Sequence, residues 1–326
     1  MSKKVVLAIV VVVTLLAILA FCCFLAFSMY AVLEEGYVSG VETTTLFTGD
    51  ASQKIAVIDI DEVITSTEVS DIWGNTGPDM ATSVISLIER ARRDDSVKAI
   101  LLRVNTPGGE VYATRRIYNK IQDFRDEGKT LVVLMEDVAA SGGYYVSAPA
   151  DHIVASEMTL TGSIGVIFSQ LDITGLYEKL GVQEIKISNT DGNLKVLEDL
   201  DDRESKGYKL LQTVADDYYD NFISVVTDGR GLTAEEVIPL ADGRVYSGKQ
   251  AMDNGLVDSL GEQEQAIEKI MEIAGLDDPA IIRYDAQENS FNTLSLKLAN
   301  LLNPVAALTG HDGSGALLKA MYILNY

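Results

Sequence analysis

The apolar positions of this chain change rhythm along its length. From Val5 to Leu33 no residue is charged, and most are Val, Leu, Ile, Ala or Phe. A helix crossing a bilayer needs ~20 apolar residues, whereas the apolar core of a secretory leader is only ~7–15 residues long. The run therefore predicts a transmembrane anchor. Lys3 and Lys4 precede it and Glu34 and Glu35 follow it. Positive charge stays on the cytoplasmic side, so the N-terminus is expected inside and the remainder outside the cell membrane.

Residues 34–53 are polar and Thr/Gly-containing with no clear period, the pattern of a stalk. Beyond them short apolar runs alternate with amphipathic ones. Strands are predicted over Lys54–Ile64, Val97–Val104 and Thr130–Met135, whose residues are β-branched or apolar almost throughout. Helices are predicted over Asp79–Arg93 and over Tyr112–Glu127, which Gly128 closes. Shorter strands are expected at 153–155, 164–168 and 184–187. Further helices are expected over 201–228 and 262–274. Near-continuous apolar strands alternating with helices predict an α/β fold with a largely parallel sheet. The domain boundaries that follow are an N-terminal anchor at 1–33, a stalk at 34–53, one catalytic-sized domain at 54–285 and a tail at 286–326.

The tail has its own character. Asn292 to Leu308 is apolar at helical spacing, Gly310-His311-Asp312-Gly313-Ser314-Gly315 has the composition of a flexible linker, and Ala316 to Tyr326 is apolar again. An apolar end on a glycine-rich linker is laid out as a tethered substrate. Residues 316–326 are expected to enter a substrate groove, their own or a neighbour's. A second membrane-touching or packing segment is the alternative.

Charge narrows the partners. The formal net charge is −22, and without Lys3 and Lys4 the remaining 24 basic residues face 48 acidic ones. Phosphate backbones demand basic patches, so nucleic acid is an unsuitable partner. Anionic headgroups would repel the domain from the membrane plane. Both cysteines, Cys22 and Cys23, lie inside the apolar run, where they are expected to act as apolar residues. No disulfide can staple the exported part. No metal-ligand cluster or phosphate loop is evident, so no cofactor and no metal is expected.

The chemistry concentrates at two glycine sites. Asn105-Thr106-Pro107-Gly108-Gly109 ends one strand before a helix, and Ala140-Ser141-Gly142-Gly143-Tyr144-Tyr145 does the same one unit later. Glycine lets backbone approach a ligand closely, and helix starts offer unpaired N–H donors. Two such sites side by side could supply the two N–H groups of an oxyanion hole, with Ser141 standing beside one. Glycines at strand–helix turns are common, so either motif alone would signify a turn. Ala139 occupies the first glycine position of G-x-S-x-G, which disfavours the α/β-hydrolase elbow.

A serine hydroxyl needs a base, and the chain has only His152 and His311. His152 starts a short strand and His311 sits in the linker; both suit an ordinary imbedded or surface imidazole. A lysine is the remaining candidate. At its reference pKa of about 10.4 only roughly one lysine in 2,500 is neutral at pH 7, so the base must sit among apolar residues, where burial lowers its pKa. Lys195 in Gly192-Asn193-Leu194-Lys195-Val196-Leu197 has such neighbours, although Glu198 and Asp199 are close. Lys186 in Glu184-Ile185-Lys186-Ile187 has the alternation of a surface strand and is the second choice.

These residues carry a family resemblance over about Lys54 to Glu262. With Thr161-Gly162-Ser163-Ile164-Gly165-Val166, Gly243-Arg244-Val245-Tyr246-Ser247-Gly248 and Gly255-Leu256-Val257-Asp258, the chain resembles the signal peptide peptidase A-type Ser-Lys proteases, in their short form with one catalytic domain and one anchor. The resemblance implies the Clp protease/crotonase-like spiral of β-β-α units. It implies Ser141 as nucleophile, Lys195 as general base, Gly109 and Gly142 (with Gly108) at the oxyanion hole, and Ser163 as a hydroxyl that orients the lysine. The family's Ser-Gly-x-x-Lys segment is longer here, running from Ser188 to Lys195. The family further implies apolar peptide substrates, signal peptides left in the membrane above all, and homo-oligomers whose active sites are shared between subunits. A crotonase-like acyl-CoA enzyme and a non-catalytic membrane scaffold are the other functions this pattern allows.

Overall fold

The computed structural model describes residues 41–67, 69–70, 76–170, 172–183, 185, 200–286 and 320–323. The expected anchor, Lys186, Lys195 and His311 lie outside these residues. The chain divides into residues 1–42 with 285–287 and residues 43–284 with 288–326; the fold that follows is that of the second unit.

The strands in chain order are β1 (Val41–Phe47), β2 (Asp50–Asp61), β3 (Val69–Ser70), β4 (Thr76–Gly77), β5 (Val97–Thr106), β6 (Gly108–Glu110) and β7 (Thr130–Ala140). They continue as β8 (His152–Ala155), β9 (Leu160–Gly162), β10 (Ile167–Phe168), β11 (Val245–Ser247), β12 (Ser259–Leu260), β13 (Pro279–Ala286) and β14 (Ala320–Ile323). The helices are α1 (Met80–Arg93), α2 (Val111–Asp126), α3 (Gly142–Ser147), α4 (Thr174–Leu180), α5 (Lys206–Arg230), α6 (Ala234–Val237), α7 (Gly248–Asp253) and α8 (Gln263–Ala274). The helices expected over 79–93, 112–127, 201–228 and 262–274 and the strands expected over 54–64, 97–104, 130–135 and 153–155 are present within a few residues of those bounds. Of the strand expected at 164–168 only Ile167–Phe168 is extended, and the strand expected at 184–187 lies almost wholly outside the described residues. β1 and the start of β2 occupy part of the stretch whose pattern had no period.

The central sheet runs β13-β2-β5-β7-β8-β12, and every pairing along that path is parallel. The register explains the buried runs. Val57 lies opposite Leu101, and Leu101 opposite Val132, so their side chains form one row on one face. Ala266 and Ile270 of α8 pack against that row with Leu134, Val154 and Ile281. The alternate residues, among them Ile58, Leu102 and Val133, are fully buried too, and α1 contacts β2 and β5. A parallel sheet must be covered on both faces, which is why its strands lack polar alternation. Each buried aliphatic side chain contributes about 1.5–3 kcal/mol to the folded state.

Helix starts follow from sequence. Asp79 accepts a 2.8 Å hydrogen bond from the Thr82 amide and opens α1, and Ser205 accepts one from Tyr208 at 3.0 Å and opens α5. Such caps satisfy donors that a helix end leaves unpaired. Among the described residues no helix is long and apolar enough to cross a membrane.

Candidate active site

β7 belongs to two ladders, and this is what places Ser141. Its first half, Val132–Met135, pairs with β8. Its last three residues, Val138–Ala140, pair with β9 instead. Between them stand Glu136 and Asp137. The Arg103 guanidinium donates to Glu136 at 2.8 Å, and the Thr159 hydroxyl donates to the Glu136 carbonyl at 2.7 Å. The strand thus continues past its polar pair and delivers Ser141 at its C-terminal end.

Ser141 has φ 53° and ψ −113°. A non-glycine residue held at positive φ costs about 1–3 kcal/mol and persists only where its surroundings over-determine it. Here the Ser141 amide donates to Gly162 O at 2.8 Å, and the Ser141 carbonyl accepts from Tyr145 at 2.8 Å. The fully buried helix α3 follows at once. Tyr144 donates its hydroxyl to Leu256 O at 3.0 Å, and Tyr145 receives Arg115 at 2.8 Å while donating to Asn221 at 2.7 Å. Gly143 is required at its position, because a Cβ there would meet Thr106 at 2.8 Å. The backbone is therefore a strained strand–serine–helix elbow, built without the first glycine of G-x-S-x-G. Ser141 is only 1% exposed, and its hydroxyl has no hydrogen-bond partner among the described residues.

The second glycine site abuts the first. The Ile64 amide donates to Gly108 O and the Glu110 amide donates to Ile64 O, both at 2.8 Å. The backbone groups of Gly109 then face the other side of β6, by the alternation of a strand. A Cβ on Gly109 would fall 2.0 Å from Ile64 O, so only glycine fits. A Cβ on Gly142 would lie 2.9 Å from Thr114 Oγ1, 3.2 Å from Gly108 Cα and 3.2 Å from Gly109 N. The structure thus brings Ser141, Gly142, Gly108 and Gly109 together. Ile64 and Thr114 were not apparent from the sequence as parts of this place. Ile64 acts through a parallel backbone bridge to Gly109, which no local pattern encodes.

Ser163 is next to Ser141. Ala140 pairs with Gly162, and each serine is the residue that follows. Ser163 also has positive φ, 50°, and its amide donates to Arg244 O at 2.8 Å. It opens onto a cavity of about 570 Å³ walled on the far side by Gln212, Asp216 and Tyr219 of α5. The two lysines expected near this place lie outside the described residues.

His152 is elsewhere. It pairs with Val132 at the start of β7. Ser141 is nine positions further on, or ~30 Å at about 3.3 Å per residue. Its Nε2 lies 2.8 Å from the Ser259 hydroxyl, and burial holds its pKa below the usual histidine value.

The last described feature is β14, which lies between β6 and β10 and is antiparallel to both. Tyr322 is opposite Gly109, and Met321 is opposite Glu110 on one side and Ile167 on the other. An extended segment of the tail thus fills the slot beside the glycine site.

Comparison with known proteins settles the family. The model for peptidase family S49 matches residues 123–277, and that for Clp protease matches residues 52–157. A protein of Enterococcus faecium bearing the name signal peptide peptidase SppA is 35% identical over 248 residues, covering 76% of this chain and 71% of that protein. The chain belongs to peptidase family S49. It is a serine protease with a mixed α/β, Clp protease-like fold. Protease 4 of Salmonella typhi is 38% identical over 228 residues, 70% of this chain and 36% of its own length. The chloroplastic serine protease SPPA of Arabidopsis thaliana is 34% identical over 190 residues, 58% of this chain and 28% of its own. The matched region thus spans about a third of those two longer family members.

Proposed function

We propose that this S49 protease is a Ser-Lys endopeptidase that cleaves apolar peptides at the membrane, signal-peptide remnants foremost. The observation that carries the reading is the buried, unpartnered hydroxyl of Ser141 on a strained turn beside a slot that accepts an extended strand. In this reading Ser141 Oγ attacks the scissile carbonyl while the Lys195 amine takes its proton. The carbonyl oxygen becomes an oxyanion and receives the N–H groups of Gly109 and Gly142; one such donor is worth about 10²–10³ in kcat. The ammonium returns the proton to the leaving amine. Water then hydrolyses the acyl-enzyme, with Lys195 as base again. Ser163 holds the lysine amine in line.

The slot between β6 and β10 suits main-chain recognition by strand addition, which fits substrates of varied sequence. The apolar run at 5–33 would tether the domain outside the cytoplasmic face, near peptides left in the bilayer. Homo-oligomers with shared sites would bring the lysine segment of one copy to the serine of another. The test is cleavage of an apolar peptide by the purified chain. Ser141→Ala and Lys195→Ala are each expected to abolish it. Full activity in Lys195→Ala would overturn the base assignment and pass it to Lys186, whose alanine variant then decides.

A further inference from the structure

Thr114 lies in the first turn of α2, is completely buried, and its hydroxyl has no hydrogen-bond partner among the described residues. Buried hydroxyls are almost always paired, and a threonine in a helix ordinarily bonds the carbonyl four residues back. This one does neither. Its Oγ1 lies instead 2.9 Å from the point to which Gly142 would project a Cβ, and Gly109 N lies 3.2 Å from that same point. The hydroxyl therefore stands at the seam of the two glycine turns, close to the two amides assigned to the oxyanion hole. α2 also begins at Val111, two residues after Gly109, so the positive end of a long helix faces this seam.

We infer that the Thr114 hydroxyl is a third donor to the tetrahedral oxyanion. This rests on Ser141 being the nucleophile and on Gly109 and Gly142 flanking the developing charge. Before substrate attack the hydroxyl has no hydrogen-bond partner among the described residues. In the transition state it donates to an oxygen that has become a full acceptor. A donor satisfied only at that stage lowers the barrier without tightening substrate binding.

The experiment uses the full-length chain in detergent with an apolar peptide substrate, comparing Thr114→Val, which removes the hydroxyl at nearly constant shape, with Thr114→Ser, which keeps it. Thr114→Val is expected to lower kcat at least about tenfold, short of the 10²–10³ of a main oxyanion donor, with KM within twofold. Thr114→Ser is expected to stay within about threefold of the parent. A peptide aldehyde, whose adduct carries the tetrahedral oxygen, is expected to lose affinity for Thr114→Val by the same factor as kcat. Should Thr114→Val misfold, as judged by its thermal midpoint, Thr114→Ala makes the same deletion with less bulk. The inference is overturned if kcat of the hydroxyl-free variant stays within twofold, if KM carries the loss, or if Thr114→Ser is as slow as Thr114→Val. Failure of the underlying catalytic assignment is separately visible, because Ser141→Ala would then keep its activity.

Discussion

Ser141 and Ser163 follow directly upon a paired couple, Ala140 and Gly162, on adjacent parallel strands, and both are held at φ near +50°. The Ser141 amide is anchored to the Gly162 carbonyl and the Ser163 amide to the Arg244 carbonyl. Strain is thus placed twice, on neighbouring strand ends, and each time backbone hydrogen bonds from another segment hold it. Such an arrangement fixes where two hydroxyls point. If Ser163 orients the lysine, Ser163→Ala is expected to reduce kcat by up to about 10²-fold, the low end of what a positioned acid–base group contributes. Its pH–rate profile should also move, because the lysine loses a hydrogen bond. An unchanged profile would reduce Ser163 to a turn residue.

Gly142 is packed directly against the other glycine turn. A methyl there would press on Thr114 Oγ1, Gly108 Cα and Gly109 N, so one turn must move away from the other. Gly142→Ala is expected to fold and yet lose at least about 10² in kcat, the effect of misplacing one oxyanion donor. Gly109→Ala differs in kind: its Cβ would lie 2.0 Å from the backbone of Ile64, and the variant is expected to show a lowered thermal midpoint as well. Parallel kinetics and thermal unfolding separate the two.

Of the fold, the sheet was the most legible part. Val97–Val104 and Thr130–Met135 are apolar because both faces of a parallel sheet are covered. The extension of β7 to Ala140 was not legible, since Glu136 and Asp137 interrupt the apolar run and their partners, Arg103 and Thr159, come from other segments. Ser141 could be picked out by its two glycines and the scarcity of histidine. Its positive φ could not, because that conformation is imposed by Gly162 across a ladder. Ser163 entered only through a family likeness for the same reason.

The tail gives a direct test. Residues 316–326 were expected to behave as a tethered substrate, and Ala320–Ile323 lies as a strand between β6 and β10. If that strand competes with substrate, deleting Gly310 to Tyr326 is expected to raise kcat/KM on a short apolar peptide several-fold, chiefly through KM. Adding the excised segment as a synthetic peptide should restore inhibition. Kinetics unchanged by the deletion would count against competition.

His152 bears on stability instead of catalysis. It is desolvated beside Ser259, among Asp258, Glu272, Lys269 and Arg230, and burial depresses its pKa in the folded state. The unfolded chain therefore binds the proton more readily, so this contribution is complete above the unfolded value of about 6.5 and fades as pH falls through the lower folded value. The thermal midpoint is expected to drop between pH 7 and pH 5, with a shallower drop in His152→Gln. A histidine-like inflection in kcat/KM that vanished in His152→Gln would instead make it a functional group.

The bond from Ser163 to Arg244 spans some eighty residues of chain, and among the described residues β9 is closed on its outer side by β11, which follows Arg244. A growing polypeptide that has reached α5 already contains Ser141, both glycine turns and the expected lysines, but not the segment that holds the Ser163 amide. Contacts of such long separation form late. If Ser163 orients the lysine, the site is completed only once the segment around Arg244 has been synthesised and has paired with β9.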